Sequence, residues 1–319
     1  IGVIGGEQRF DFPTLYFAKN EAYTYAYQMA QNAYEVRKRK LTRDVSKNYY
    51  YLMYLRARLR TYGKVDSLYS RFSNSANQSF TAGAISYLEL LNAQSIQQEV
   101  ELLEHQMQHD IRISYKNLST LMQYDSLFVL APDTLTRLLV RTDSTASDPG
   151  LSYLQNASLR RGADLKVEKQ SLLPDLTLSY FNGTNRYASA RHYQGVELGL
   201  GIPIFFSEQR AKVKAKQFAL EASSLFQSHY INRFENRMTA LENGLIKYQE
   251  ALEYYEKQGK KLAEELIRSS ELSYSVGEIV FFQYTQSVER AVGIVLDYLD
   301  NLHRYNELVL EMNYLTLEN

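Results

Sequence analysis

The chain has 319 residues with 36 basic and 36 acidic side chains, so its formal net charge is zero. That balance argues against the basic groove of a nucleic-acid binder, and the absence of cysteine removes disulfides, thiolate metal sites and thiol nucleophiles. Tyrosine is abundant at 27 residues and tryptophan is absent; tyrosine suits surfaces where a ring packs and its hydroxyl meets water.

No stretch reaches the roughly 18 apolar residues of a membrane helix, and the nearest, Ala291 to Leu296, is far too short. No signal peptide is visible at Ile1, which predicts that one was removed or that the chain is a fragment.

Residues 1–12 run to Arg9-Phe10-Asp11-Phe12-Pro13 and read as the tail of a strand stopped by proline. No proline follows until Pro132, and Gly63 and Gly83 are the glycines of that span, which marks helical territory. The first predicted helix runs from about Thr14 to the mid-70s, with a turn at Ser73 to Asn77. The alternative is one continuous helix that reverses near Gly83. A second helix follows from Ser86 to Tyr124, where Val100, Leu103, Met107, Ile111, Leu118 and Leu121 form one helical stripe.

Residues 125–150 carry loop chemistry, including Ala131-Pro132-Asp133 and Asp143 to Ser147. Asp148 reads as a helix N-cap with Pro149 in the first helical position. That helix reaches Leu173, and Pro174 admits the chain to a pair of strands. In the first, Asp175 to Phe181, Leu176, Leu178 and Tyr180 alternate with Asp175, Thr177 and Ser179. In the second, Gly195 to Ile202, Val196, Leu198, Leu200 and Ile202 alternate with Glu197, Gly199 and Gly201. Asn182-Gly183-Thr184-Asn185 and Arg186 to His192 read as the polar turn between them.

Such a hairpin fits a soluble surface or a membrane β-barrel, since each strand is near the roughly 9–11 residues a tilted membrane strand needs. In the second case Val196, Leu198, Leu200 and Ile202 face lipid. Lipid does not tolerate unpaired strand edges. One hairpin cannot close on itself, so other copies of the chain must complete the barrel.

From Phe234, the positions Met238, Leu241, Leu245, Tyr248, Leu252, Tyr255, Gly259, Leu262 and Leu266 alternate steps of four and three. This is a heptad seam and predicts left-handed packing on a neighbouring helix. The last helix repeats it with Val288, Val292, Val295, Leu299, Leu302, Asn306 and Val309. An unbroken helix from Ser207 to Ser275 would be about 100 Å long.

Residues Ser79 to Leu88 match Ser273 to Phe282 at a constant offset of 194, with serine, an aromatic, glycine and isoleucine in register. Pro13 and Pro203 precede Gly83 and Gly277 by 70 and 74 residues. The order strand, proline, long helix, glycine turn, long helix therefore occurs twice, the mark of a duplicated unit. The predicted organisation is a first repeat over 1–131, a linker and equatorial helix over 132–171, and a second repeat over 172–319.

At these residues the chain resembles the TolC-like outer-membrane efflux channels. The resemblance rests on Leu172-Leu173-Pro174-Asp175-Leu176 entering a strand, on Gly199 to Phe205 leaving one, and on the two glycine turns. Of these, Ala82 to Gln94 is nearest the family's wording. Arg9-Phe10-Asp11-Phe12-Pro13 resembles the heavy-metal efflux subgroup. The family implies a mainly α fold of long antiparallel helix hairpins forming an α-barrel, with a small membrane β region. It implies a homotrimer, each subunit giving four strands to a 12-stranded barrel in outer-membrane lipid and extending into the periplasm of a Gram-negative bacterium. The tips, at Gly83, Ile85, Gly277 and Ile279, would meet a periplasmic adaptor (membrane fusion) protein, itself linked to a proton-driven inner-membrane pump. The family also implies a further helix pair and strand before Ile1, so a truncated, processed or pump-fused form is expected.

The remaining candidates weigh less. His105 and His109 stand four apart on one helix and can share a metal, but Gln106 stands where a metalloprotease has glutamate. Glu89 and Glu278 could ring a pore near the tips and favour cations, or be solvated helix carboxylates. Gly2-Val3-Ile4-Gly5-Gly6 lacks nucleotide-loop spacing, and nothing arranges a catalytic triad, so no cofactor and no enzyme activity are expected. The alternative from another class is a soluble, elongated coiled-coil scaffold.

Overall fold

The computed structural model of the chain describes residues 2–124, 128–130, 134–141, 148–184, 192–202 and 207–315. In chain order its elements are β1 (Gly2–Phe10), α1 (Pro13–Thr81), α2 (Tyr87–Met122), α3 (Pro149–Gln170), β2 (Asp175–Thr184), β3 (His192–Gly201), α4 (Ser207–Tyr254), α5 (Lys260–Ser275) and α6 (Phe281–Asn313). A π-helical turn, Tyr255–Gly259, joins α4 to α5. The fold is mainly α with a small antiparallel sheet of order β1-β2-β3. The loops predicted around Pro132 and Asp143 to Ser147, the turn from Asn185 to Arg191, and Pro203 to Phe205 lie outside the described residues.

Pro13 opens α1, where its missing N–H costs no bond. The turn predicted at Ser73 to Asn77 does not form, and α1 runs on to Thr81. Phe72, Ser73 and Ala76 are buried there, so packing overrides the polar composition. Asp148 caps α3 as predicted, its carboxylate accepting from the N–H groups of Gly150 and Leu151 at 3.1 Å each. The helix ends at Gln170, short of Leu173, because Leu172 and Leu173 turn back onto the carbonyls of Lys169 and Gln170.

The elements fall into two compact units, one of Ile1–Lys38, Thr145–Glu235 and Thr316–Asn319, the other of Arg39–Ser144 and Asn236–Leu315. The first has a thin core: Leu15, Ala18 and Ala22 of α1, Ala163 of α3 and Tyr230 of α4. Polar ties supplement it. Lys166 reaches Glu21 at 2.7 Å, Thr14 donates to Gln170 at 2.6 Å, and the Tyr230 hydroxyl donates to Asp148 at 2.7 Å.

The second unit holds the larger cores. Near the glycine turns Phe72 stacks on Phe281 at 4.5 Å and on Tyr284 at 5.3 Å, among Val65, Tyr69, Leu90 and Val288. The α6 seam is buried at Val288, Leu299, Leu302, Asn306 and Val309. The α4–α5 seam holds through Leu241, Leu245, Leu252 and Gly259, then departs from the predicted steps. Leu262 is 48% exposed and Ala263 is buried in its place. A π turn inserts one residue and so moves the buried line by one position.

His303 of α6 lies in this unit with its ring stacked on Tyr54 of α1 at 4.4 Å. The Tyr54 hydroxyl donates to Asp300 at 2.6 Å, and Arg58 reaches the same oxygen at 3.1 Å. Burial pushes the His303 imidazole below its ordinary pKa. Glu307 and Asp300 pull it up and Arg304 pushes it down. The unfolded chain therefore takes this proton first, near pH 6.5. Stability from this site is full above that pH and is lost as pH falls toward the lower folded value. The melting temperature should drop between about pH 7 and 5, and His303→Phe, which keeps the ring stack, should flatten that slope in a series of thermal melts.

Candidate membrane face and helix-hairpin tips

The register of the sheet decides which residues share a face. Leu176, Leu178 and Tyr180 pair directly with Leu200, Leu198 and Val196. Phe10, Gln8, Gly6 and Ile4 pair with Leu176, Leu178, Tyr180 and Asn182. Alternation thus gathers Ile4, Phe10, the β2 trio and the β3 trio on one side. These side chains are exposed, Ile4 to 83% and Leu198 to 82%, and Ile202, just past β3, continues the row. An apolar patch of this kind on a folded surface marks a contact with lipid or protein. The opposite face carries Glu7, Arg9, Thr177, Ser179 and Glu197, with Arg9 paired to Asp175.

The strands outrun the sequence reading, which placed Asn182 to Thr184 and His192 in the turn. Thr184 pairs with His192, Gly183 with Tyr193, and Asn182 with Gln194. The glycines of this end lie under rings. A Cβ on Gly195 would come within 2.5 Å of the Phe181 ring, and one on Gly183 within 2.3 Å of the Tyr193 ring. Aromatic cover of a cross-strand glycine extends the pairing into residues that would otherwise favour a turn.

In the second unit the two glycine turns are copies. Gly83 has φ 71° and Gly277 has φ 77°. The N–H groups of Ala82, Gly83 and Ala84 donate to the carbonyls of Gln78, Phe80 and Ser79. Those of Val276, Gly277 and Glu278 donate to Leu272, Tyr274 and Ser273. Every donor and acceptor is shifted by the same 194 positions. Both are Schellman caps, whose left-handed position glycine fills without a Cβ penalty. Gly83→Ala or Gly277→Ala should each cost about 1–2 kcal/mol, read as a lower melting temperature. In both cases nothing stands within 4 Å of the new Cβ, so the loss would come from the backbone alone.

The predicted tip residues separate by role. Ile85 and Ile279 tuck under the turns against the Phe72 cluster. The Glu89 carboxylate accepts from the Ser86 N–H at 2.8 Å while the Ser86 hydroxyl accepts from the Glu89 N–H at 3.2 Å, a capping box that starts α2. Glu278 accepts from the Ser273 hydroxyl across Gly277 at 3.0 Å. The apolar groups that face outward here are Leu88 and Phe282, the same position of the two repeats, with Tyr87, Val276 and Val280 beside them. Sequence reasoning passed over these, although their repeat position was visible.

His105 and His109 are both exposed on α2, and the His109 ring lies 3.3 Å from the Arg112 guanidinium. Among the described residues no group of three or more histidine or acidic side chains is placed to hold a metal. Among them, too, no helix is long and apolar enough to cross a membrane.

One further surface was missed. In the first unit Tyr16, Tyr23, Tyr27 and Tyr34 of α1 follow steps of seven, four and seven and are exposed. On α4, Phe218 and Leu225 are a heptad apart and also exposed. The high tyrosine count was the visible signal, and its spacing completes it.

No family model and no curated protein matches the chain. Among solved structures its fold is that of bacterial outer-membrane channels. The outer membrane protein VceC of Vibrio cholerae superposes with a TM-score of 0.84 at 14% identity, over 97% of this chain and 77% of that one. The CmeC outer membrane channel of Campylobacter jejuni gives 0.82 at 11% identity, over 98% and 76%. CusC, described in connection with transmembrane channel formation, gives 0.79 at 12% identity, over 98% and 82%. At these identities the likeness is one of fold.

Proposed function

We propose that the chain is a subunit of the outer-membrane channel of a tripartite efflux system, a passive conduit and not an enzyme. The observation that carries this reading is the exposed apolar face of the sheet, from Ile4 to Ile202, in a chain whose fold is that of outer-membrane channels. Strands β1 and β3 each leave one edge unpaired among the described residues, which lipid penalises by several kcal/mol per unmet group. Further strands, from sister copies in a homotrimer, would close those edges into a β-barrel. The tyrosine seam of α1 and the Phe218–Leu225 seam of α4 supply helix faces for the neighbours of an α-barrel.

In this reading the two repeats, 1–131 and 172–319, flank the equatorial segment 132–171. The glycine turns extend into the periplasm of a Gram-negative cell and meet an adaptor protein, which links them to a proton-driven inner-membrane pump. Leu88, Val276 and Phe282 offer apolar contact there, around Gly83 and Gly277. Glu89 and Glu278 are the proposed pore carboxylates; each keeps its charge while accepting a local hydrogen bond, Glu89 from Ser86 and Glu278 from Ser273. Heavy-metal cations are the proposed cargo, on the wording Arg9-Phe10-Asp11-Phe12-Pro13. Two charges of that motif also serve local structure, Arg9 with Asp175 and Asp11 with Lys19.

Purified protein added to a planar bilayer should give discrete conductance steps. A silent bilayer, under conditions where a known porin conducts, would overturn the proposal. A soluble scaffold would leave no reason for so many leucines to face outward along one sheet.

A further inference from the structure

Between α3, α4 and Met29 of α1 lies a cavity of about 580 Å³. That is within the range of small-molecule sites, roughly 300–1,000 Å³. Its walls are two helical stripes: Tyr153, Leu154, Ala157 and Arg161 on α3, and Ala219, Phe226, Tyr230 and Arg233 on α4. Met29 of α1 closes one side. Alanines make the floor, and the rings and Leu154 make an apolar middle.

The charges are one-sided. Arg160, Arg161, Arg233 and His229 line the cavity, and no carboxylate does. Asp164 sits 3.9 Å from Arg161, at the edge of ion-pair distance. Arg160 and Arg233 form no ion pair among the described residues. Asp148, which bonds the lining residue Tyr230, is occupied by the α3 cap and by that hydroxyl.

The register places these cations. Gln209 donates to Glu168 at 2.7 Å and Tyr230 donates to Asp148, so α3 and α4 run antiparallel. Arg160 and Arg161 therefore stand at the end leading to the sheet, and Arg233 at the other. From Ala219 to Arg233 the cavity follows about 21 Å of helix, so it is elongated. An extended hydrocarbon chain matches that elongation.

We propose that this cavity binds an organic anion with an extended apolar chain. The chain lies along Phe226, Leu154 and Tyr153, and the acid group meets an arginine pair or Arg233 at an end. Arginine suits this role because its planar fork bonds a carboxylate or sulfate through two parallel N–H groups. The site goes beyond the channel reading and stands whether or not the protein conducts.

The chain contains no tryptophan, so Phe226→Trp supplies a single indole on the solvent-open wall of the cavity. The full-length protein in non-ionic detergent is titrated with 11-bromoundecanoate, whose bromine quenches the indole on contact, and with 11-bromoundecanol as the neutral control. The acid should quench saturably, with half-saturation about tenfold or more below that of the alcohol. Charge reversal by Arg160→Glu with Arg161→Glu, or by Arg233→Glu, should weaken the acid about tenfold and leave the alcohol unchanged. Where a reversal lowers the helical signal, Arg160→Gln and Arg233→Gln replace it and should weaken the acid in the same direction. Equal curves for acid and alcohol would overturn the proposal, and so would an acid curve that no change at either end moves. A helix of another copy seated in the cavity would give the same negative result.

Discussion

Leu198→Arg should leave the helices folded and keep the chain out of the membrane. Leu198 stands mid-strand in β3, directly opposite Leu178, with 82% of its surface exposed. In water that exposure makes the side chain nearly dispensable, and a surface substitution there would change stability by about 0.5 kcal/mol or less. In lipid the same position is among the most sensitive of the chain. A guanidinium on the lipid face near the midplane costs about 2–4 kcal/mol, and in the proposed trimer that cost is met three times. The two environments thus predict different outcomes for one substitution. Membrane fractionation and semi-native gels should show Leu198→Arg lost from the membrane and from the oligomer, with far-UV circular dichroism unchanged. Glu197→Arg, one residue away on the opposite face, should insert as the parent does. Equal insertion of Leu198→Arg and the parent chain would remove lipid as the partner of this face.

Much of this arrangement could be read locally. The alternation of β2 and β3, the Asp148 cap, the α6 seam and the duplicated glycine turns each depend on residues within a few positions of one another. Ser86-Tyr87-Leu88-Glu89 spells a capping box, so the bond that Glu89 accepts at the start of α2 was legible before the fold. What escaped depends on distant partners. Nothing near Ser73 says that Phe72 and Ala76 have a core to enter. Nothing near Asn182 says that Tyr193 and Gln194 will extend its strand. The heptads pass through Tyr255 to Gly259 without a break in their spacing, yet the π turn there shifts burial from Leu262 to Ala263. Spacing fixes a helical face only while the backbone keeps an α-helical pitch.

Asn306 is the strongest case of a distant partner, and its removal is the second large effect. It occupies a seam position of α6 where a leucine or valine would fit the pattern, and it is fully buried. Its amide holds an extended strap, residues 134–141: the Leu138 N–H donates to Oδ1 at 2.9 Å, and Nδ2 donates to the Thr136 carbonyl at 2.8 Å. One heptad on, Asn313 makes the same pair with Arg141 and Leu139, at 2.8 and 3.3 Å, but in an exposed setting. The strap matters because its Leu135 packs against three clusters of the second unit. Asn306→Ala takes the partner from the half-buried Leu138 N–H, at about 1–3 kcal/mol, and from the carbonyl of the exposed Thr136, where water can replace it, and it opens a small cavity besides. Asn313→Ala makes the same cut where water can replace the lost bonds, so its cost should stay below about 1 kcal/mol. Hydrogen exchange separates the two: the Leu138 amide should lose about a hundredfold or more of its protection in Asn306→Ala, and the Arg141 amide far less in Asn313→Ala. Similar losses from both variants, or an unchanged Leu138 amide, would mean that Leu135 and Leu138 hold the strap by apolar packing alone.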